Sequence, residues 1–300
     1  MAFVTGKIHF TGYIMHPAHL ALGIGILLSG LSPILVRLSP LDPAATACWR
    51  LLVAALLSLL FARGAVRLPP KVLIAVVFAG FLLAADLVLW NIAIMTTTVM
   101  EAALLVMLYP LLVAGIEILF LKRPLGWHLT VGGLIAFSGV VLMSLGPGFG
   151  SFGSGKSSTF GTLLALTAAF FYAGCLLITA RSCRGYDIKA VTFWELLSAG
   201  IFCIPLLFWE DHGQPRDGSE AGFMALYGLV TFAGYYLINK GLTKVAASVA
   251  AILGYAQPVI ASVIAFFLLS EVPGGFALAG GATVMAGLAL AARGKGKVAG

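Results

Sequence analysis

A chain of 300 residues that is 61% hydrophobic and only 10% charged, with a mean hydropathy of +1.06, is not an ordinary water-soluble globular domain. Its formal net charge of +7 sits in the short connections between apolar stretches, so it reads as a topology signal. No nucleic-acid partner is expected. The fold class these numbers predict is an all-α polytopic membrane protein.

A helix needs about 20 apolar residues to cross a bilayer core. In chain order ten segments qualify: 18–37, 44–62, 72–95, 98–121, 128–145, 160–180, 190–209, 222–240, 245–270 and 275–292. Residues 1–17 read as an N-terminal tail, 18–145 as a first group of five helices, and 146–159 as a linker. Residues 160–292 form a second group of five, and 293–300 a C-terminal tail. The N-terminal stretch has no small-residue cleavage site after a short apolar core, so a removed signal peptide is not expected. Basic residues concentrate on one side: Lys7, Arg63, Arg67, Lys71, Lys122, Arg123, Arg181, Arg184, Lys189, Lys240, Lys244, Arg293, Lys295 and Lys297, against Arg37, Lys156 and Arg216 on the other. The expected location is therefore the cell inner (plasma) membrane, multi-pass, with both termini cytoplasmic.

The second half repeats the first at an offset of 148 residues. Asn91 recurs as Asn239, Pro110 as Pro258, Gly132-Gly133 as Gly280-Gly281, and Gly139 as Gly287. Upstream the offset slips to 145, where Trp49-Arg50 answers Trp194-Glu195. Five is odd, so two copies enter the membrane in opposite orientations. Ten transmembrane helices as two inverted five-helix repeats are an architecture of transporters. An internal inverted repeat also removes the need for a dimer, so a monomer suffices.

Several motifs lose to plainer readings. Residues 150–157, Gly-Ser-Phe-Gly-Ser-Gly-Lys-Ser, match a phosphate-binding loop, yet no buried strand precedes them and no acidic strand accompanies them; a flexible linker explains them better. Cys48, Cys175, Cys183 and Cys203 show no paired spacing, so neither disulfide nor metal site is expected. No cofactor is expected, and the five scattered histidines suggest no catalytic constellation, so the chain does not read as an enzyme. Lys240, near the end of its segment, reads as an anchoring lysine.

Ionisable groups inside apolar segments cost roughly 2.5 kcal/mol or more each, which makes them functional candidates. Here they are Arg50, Asp86, Glu101, Glu117 and Glu195, with Glu271 at a segment end. Arg50 lies roughly 9 Å and Asp86 roughly 14 Å below the outer boundary at 1.5 Å per residue. Two readings of this group stand: a structural ion pair of Arg50 with Asp86, or an outer gate or proton-responsive site joined by Glu101. Glu195, as the counterpart of Arg50, falls at matching depth on the cytoplasmic side and suggests an inner gate. One deep Arg against several acids disfavours anionic solutes. Trp90, Asn91, Tyr109, Tyr235, Tyr236, Asn239, Tyr255 and Gln257 are candidate cavity-wall residues for a substrate. Pro110 and Pro258, at equivalent positions in segments four and nine, are expected to kink their helices.

The chain resembles the EamA-type, ten-helix members of the drug/metabolite transporter superfamily. The residues that carry this resemblance are Ala-Thr-Ala-Cys-Trp-Arg50, Leu-Tyr-Pro110, Tyr235-Tyr236-Leu-Ile-Asn239-Lys-Gly-Leu, and the stretch from Val245 through Gln257-Pro258 to Glu271. The resemblance implies a central cavity, alternating access and, in most bacterial members, export of amino acids or related metabolites. One departure stands out: the family usually ends segment four with Gly-Glu, and here Lys122-Arg123 occupies that position. The expected partners are a small-molecule substrate and the lipid bilayer. The expected function is export of a small zwitterionic, amphipathic or cationic metabolite such as an amino acid. Import of a vitamin or cationic metabolite on the same scaffold is the alternative, with a lipid flippase or scramblase further behind.

Overall fold

A computed structural model describes residues 9–10, 13–14, 16–96, 105–122, 124–145, 159–269 and 274–293, and within them nearly all the regular structure is helical. A two-residue antiparallel ribbon pairs His9–Phe10 with Tyr13–Ile14 ahead of the bundle. The first apolar segment is split into α1 (Pro17–Gly30) and α2 (Ser32–Leu38). It is followed by α3 (Pro43–Phe61), α4 (Pro70–Thr96), α5 (Tyr109–Leu119) and α6 (Trp127–Ser144). The second half holds α7 (Thr159–Gly185), α8 (Ile188–Cys203) with a 3₁₀ turn at Ile204–Phe208, α9 (Gly218–Leu242), α10 (Ala247–Leu253), α11 (Ala256–Leu269) and α12 (Gly275–Arg293). Among the described residues nine helical stretches are long and apolar enough to cross a membrane, and α5 is a shorter apolar helix. Every one of the ten expected segments thus has its helix. Large apolar side chains such as Ile74, Leu119, Phe120 and Phe267 are exposed on the bundle surface, as a lipid solvent requires.

Local chemistry starts these helices. Proline opens α1, α3 and α4, where its missing N–H costs nothing and its fixed φ suits the first turn. Asp187 caps α8 through the Lys189 N–H at 2.9 Å, and Asp217 caps α9 through the N–H groups of Ser219 and Glu220 at 2.8 and 2.9 Å. Arg184 closes the other end of α9, its guanidinium 3.0 Å from the Val245 carbonyl oxygen.

The main helix contacts run between the two halves of the chain and come in pairs that a two-fold axis would exchange. Helix α6 lies along α12, and α3 along α8. The pairing of α4 with α7 is answered by α9 with α1; α4 with α8 by α9 with α3; α5 with α7 by α11 with α1. Glycine makes the closest of these contacts. A Cβ at Gly139 would stand 2.6 Å from the Val284 nitrogen and 2.7 Å from the Gly280 oxygen, and one at Gly280 would stand 2.6 Å from the Gly139 oxygen. Gly132 meets Gly287 in the same way one heptad along. Backbone therefore lies on backbone between α6 and α12, in the small-residue manner of membrane helices. A second equivalent pair repeats the device: Gly80 of α4 abuts Ser198 of α8, and Gly228 of α9 abuts Val53 of α3.

The prolines act differently from the expected mid-helix kinks. Pro110 is the second residue of α5, after a turn at Met107–Leu108. Pro258 is the third residue of α11, after a turn at Gly254–Tyr255 that separates it from α10. Each segment is broken and restarted rather than bent, because a proline without an N–H is tolerated in a first turn but not mid-helix. The two breaks touch: the Tyr109 hydroxyl donates to the Ala251 carbonyl at 3.4 Å, and any Cβ at Gly254 would collide with that hydroxyl.

Two outcomes are expected. Gly139→Ala should destabilise the detergent-purified protein by about 1–3 kcal/mol, the range for overpacking, whereas Gly115→Ala, where nothing lies within 4 Å of the new methyl, should be neutral or mildly stabilising; thermal unfolding of both variants checks this. The cap at α9 should show in pH. The Ser219 hydroxyl, followed by the Glu220 N–H, holds the Asp217 carboxyl below its ordinary value of 3.8. Its stabilisation is therefore complete above that value and is lost as pH falls through the depressed one. Asp217→Ala should lower the midpoint at neutral pH, and the difference should shrink in acid.

Candidate functional site

Arg50 sits on the second turn of α3, buried to 7% exposure. The break between α1 and α2 brings Ser32 to it, and α9 brings Tyr227. Arg50 Nη1 donates to Ser32 Oγ at 2.7 Å and to the Tyr227 hydroxyl. The two hydroxyl oxygens are 2.6 Å apart, and Tyr227 also reaches the Ser32 carbonyl at 3.3 Å. The guanidinium carbon stands 5.0 Å from the Tyr227 ring centroid, a cation–π contact. The charge is thus held by neutral groups from both halves of the chain.

Below this cluster lies a cavity of about 150 Å³ whose wall includes Arg50, Asp86, Tyr109, Tyr172, Tyr235 and Gln257. A void of that size takes about one benzene ring. Asp86, from α4, is 6% exposed. Among the described residues it makes no ion pair with Arg50 within 4.0 Å, and its Oδ1 is buried without a hydrogen-bond partner. The sequence places the two charges near each other, and the structure brings them to one cavity, but it does not join them. Tyr109 packs edge-on against Tyr172, with ring centroids 4.7 Å apart.

Toward the opposite end of the bundle, Glu195 of α8 is 2% exposed. Its Oε1 accepts from Thr179 Oγ1 at 2.6 Å and from Cys175 Sγ at 3.4 Å. Its Oε2 accepts from Asn239 Nδ2 at 2.9 Å, and Asn239 also donates to Thr192 Oγ1 at 3.0 Å. Lys189, of the same helix, stands 4.9 Å over the Phe61 ring. A second cavity of about 10 Å³, room for about one water, adjoins Glu195 and Asn239 and shares Tyr172, Tyr235 and Ile238 with the first.

Each end of the seam is also tied through a connecting loop. The Trp49 indole donates to the Gly213 carbonyl at 3.1 Å, and its repeat counterpart Trp194 donates to Val66 at 2.7 Å. Each indole thus holds the connection between the second and third helices of the other half. The Arg50 end carries an additional latch. The Glu210 carboxylate accepts from the N–H groups of Ala44 and Ala45 at 2.8 and 2.6 Å, at the start of α3. Asp42 Oδ2 accepts from the His212 N–H at 2.8 Å, and His212 Nε2 lies 3.1 Å from Glu220.

The other sequence candidates divide. Tyr109, Tyr235 and Gln257 line the larger cavity, and Asn239 lines the smaller. Tyr236 faces Phe61 at 5.0 Å, and Tyr255 is buried beside Phe137 at 6.0 Å; neither lines either of these two cavities, nor does Trp90. Glu101, Glu271 and the Asn91 side chain lie outside the described residues. Ser32, Tyr172, Tyr227, Thr179 and Thr192 were not singled out in the sequence. They are neutral, and the offset does not flag them: the position equivalent to Tyr227 is Ala79. Only Ser32-Pro33, a proline inside an apolar segment, carried a readable signal.

The model of the EamA-like transporter family matches residues 16–145 and again 159–293. The chain is 30% identical over 274 residues to Uncharacterized transporter YdfC of Bacillus subtilis, covering 89% of this chain and 88% of that one. It is 27% identical over 210 residues to Pseudopaline exporter CntI of Pseudomonas aeruginosa, covering 69% and 70%. It is 26% identical over 196 residues to a protein of Streptantibioticus cattleyicolor named as a probable terminal-alkyne amino-acid exporter, covering 63% and 62%. A crystal structure superposes with a TM-score of 0.76 at 19% identity, over 91% of this chain and 96% of the other, a likeness of fold.

The Glu195 network predicts a graded loss. Glu195→Ala strands the donors of Thr179 and Asn239 and should cost about 1–3 kcal/mol in thermal unfolding. Glu195→Gln retains a carbonyl acceptor and should cost less.

Proposed function

Because the chain belongs to the EamA-like transporter family, we propose that its central cavity carries a small zwitterionic, amphipathic or cationic metabolite, such as an amino acid, outward across the plasma membrane by alternating access. The observation that carries this reading is the cavity itself. It lies on the seam between the two halves, is walled by side chains from both, and holds Arg50 and Asp86 together. A seam cavity changes its access when the halves rock against each other. The names of two relatives, both exporters and one of an amino acid, support the direction and the solute class.

With both termini cytoplasmic, Arg50 lies in the outer half of the membrane and Glu195 in the inner half. The larger cavity then belongs to the outer half, and the Glu195–Asn239–Thr179 network closes the path below it. Access from the cytoplasm requires this network to part, and access from outside requires Arg50 to leave Ser32 and Tyr227. These are the gate roles proposed for the two residues. The substrate wall comprises Tyr109, Tyr172, Tyr235 and Gln257.

Purified protein in liposomes should exchange at least one labelled amino acid or amine for its unlabelled form, and Arg50→Ala should slow that exchange tenfold or more. Lipid scrambling without solute exchange, across a panel of amino acids, amines, nucleosides and vitamins, would overturn this reading. Accumulation by cells expressing the protein would reverse its direction.

A further inference from the structure

Three buried polar atoms at the larger cavity have no hydrogen-bond partner among the described residues: Asp86 Oδ1, Arg50 Nε and Thr231 Oγ1. Asp86 is more than nine-tenths buried and lines the cavity, so an occupant is the source from which Oδ1 can gain a donor. A carboxyl oxygen left unmatched in a membrane interior costs several kcal/mol. Such a group survives in a fold chiefly where a ligand completes it.

The surroundings select the ligand's chemistry. Tyr109, Tyr172 and Tyr235 share the wall with Asp86. The Tyr109 hydroxyl is turned to the Ala251 carbonyl, and its ring meets Tyr172 edge-on. Tyr109 therefore offers the wall aromatic surface rather than its hydroxyl, and aromatic surface attracts an ammonium group. Arg50 argues against a ligand that is only cationic, since like charges in one small cavity repel. Among the described residues only its Nη1 is engaged, so its remaining N–H groups are free to meet a carboxylate. The rest of the wall is apolar, including Leu28, Leu87, Val106 and Val230.

Building on the transport reading above, we propose that Asp86 binds the solute's protonated primary amine against the tyrosine wall, while Arg50 faces its carboxylate. The ligand class is a small amino acid with an apolar side chain. Asp86 is then the specificity-determining residue of the cavity, and Arg50 serves as both gate and second anchor.

The test uses three probes of one carbon skeleton: valine, isobutylamine, which lacks the carboxylate, and isovalerate, which lacks the amine. Binding to the full-length detergent-purified protein is read from the ligand-induced rise in unfolding midpoint, and counterflow in liposomes is measured beside it. Valine should bind at least tenfold more tightly than either truncated probe, with isobutylamine retaining more affinity than isovalerate. Asp86→Asn should weaken valine and isobutylamine at least tenfold. Removing the charge breaks no hydrogen bond of Oδ1, so the variant should fold; if it does not, the three probes on the unaltered protein still decide. Isovalerate binding as tightly as valine, or unchanged valine affinity in Asp86→Asn, would sink the proposal. Exchange of isovalerate alone, or of some wider-panel solute but none of these three, overturns the amine assignment and leaves the transport reading standing. If nothing in the wider panel exchanges, both readings fall.

Discussion

Backbone contact between α6 and α12 sets the frame for everything else in this molecule. Gly132 and Gly139 on one helix and Gly280 and Gly287 on the other remove the side chains that would hold the two apart. In lipid there is no hydrophobic force to press helices together, so close van der Waals fit must do that work. The same economy appears where Gly80 meets Ser198 and where Gly228 meets Val53. Because these contacts join opposite halves, the interior of the protein is an interface, and the cavity is a gap in that interface.

Charge enters this interface under strict conditions. Arg50 and Glu195 occupy equivalent positions but carry opposite signs, and each is held by neutral groups. Ser32 and Tyr227 hold the first; Thr179, Cys175 and Asn239 hold the second. Neutral partners can be exchanged for water or solute at lower cost than a desolvated counter-ion. Under the gating proposed above, hydroxyls and amides rather than counter-ions close both ends. Asp86 stands apart from both clusters.

Much of this was legible before any coordinates. Ten segments, the 148-residue offset and the pairing of Trp49-Arg50 with Trp194-Glu195 follow from hydropathy and identity alone. A lone charge in an apolar run announces itself, so Arg50, Asp86 and Glu195 were found. Their partners were not, because hydroxyl and amide side chains are common in membrane helices and show their role only when another helix arrives. The ion-pair reading of Arg50 and Asp86, one of the two that stood, rested on depth along the membrane normal. Depth places two groups in one layer without saying which way each helix turns them. The prolines show a related limit: whether a helix bends or restarts depends on the turn upstream, here Met107–Leu108 and Gly254–Tyr255.

The two tryptophan ties are matched, but Glu210 has no described counterpart at the other end. Its carboxylate grips the start of α3 at one face, while the ties described at the opposite face include the indole of Trp194 on Val66 and Lys189 over the Phe61 ring. A machine with perfect two-fold symmetry would have no preference between its two orientations of access. Part of this chain's asymmetry lies in the Glu210 loop, which does not line the larger cavity. Under the proposed alternating access, a change in that loop would shift which side rests open without touching the proposed solute wall, so resting state and specificity would be separately heritable traits.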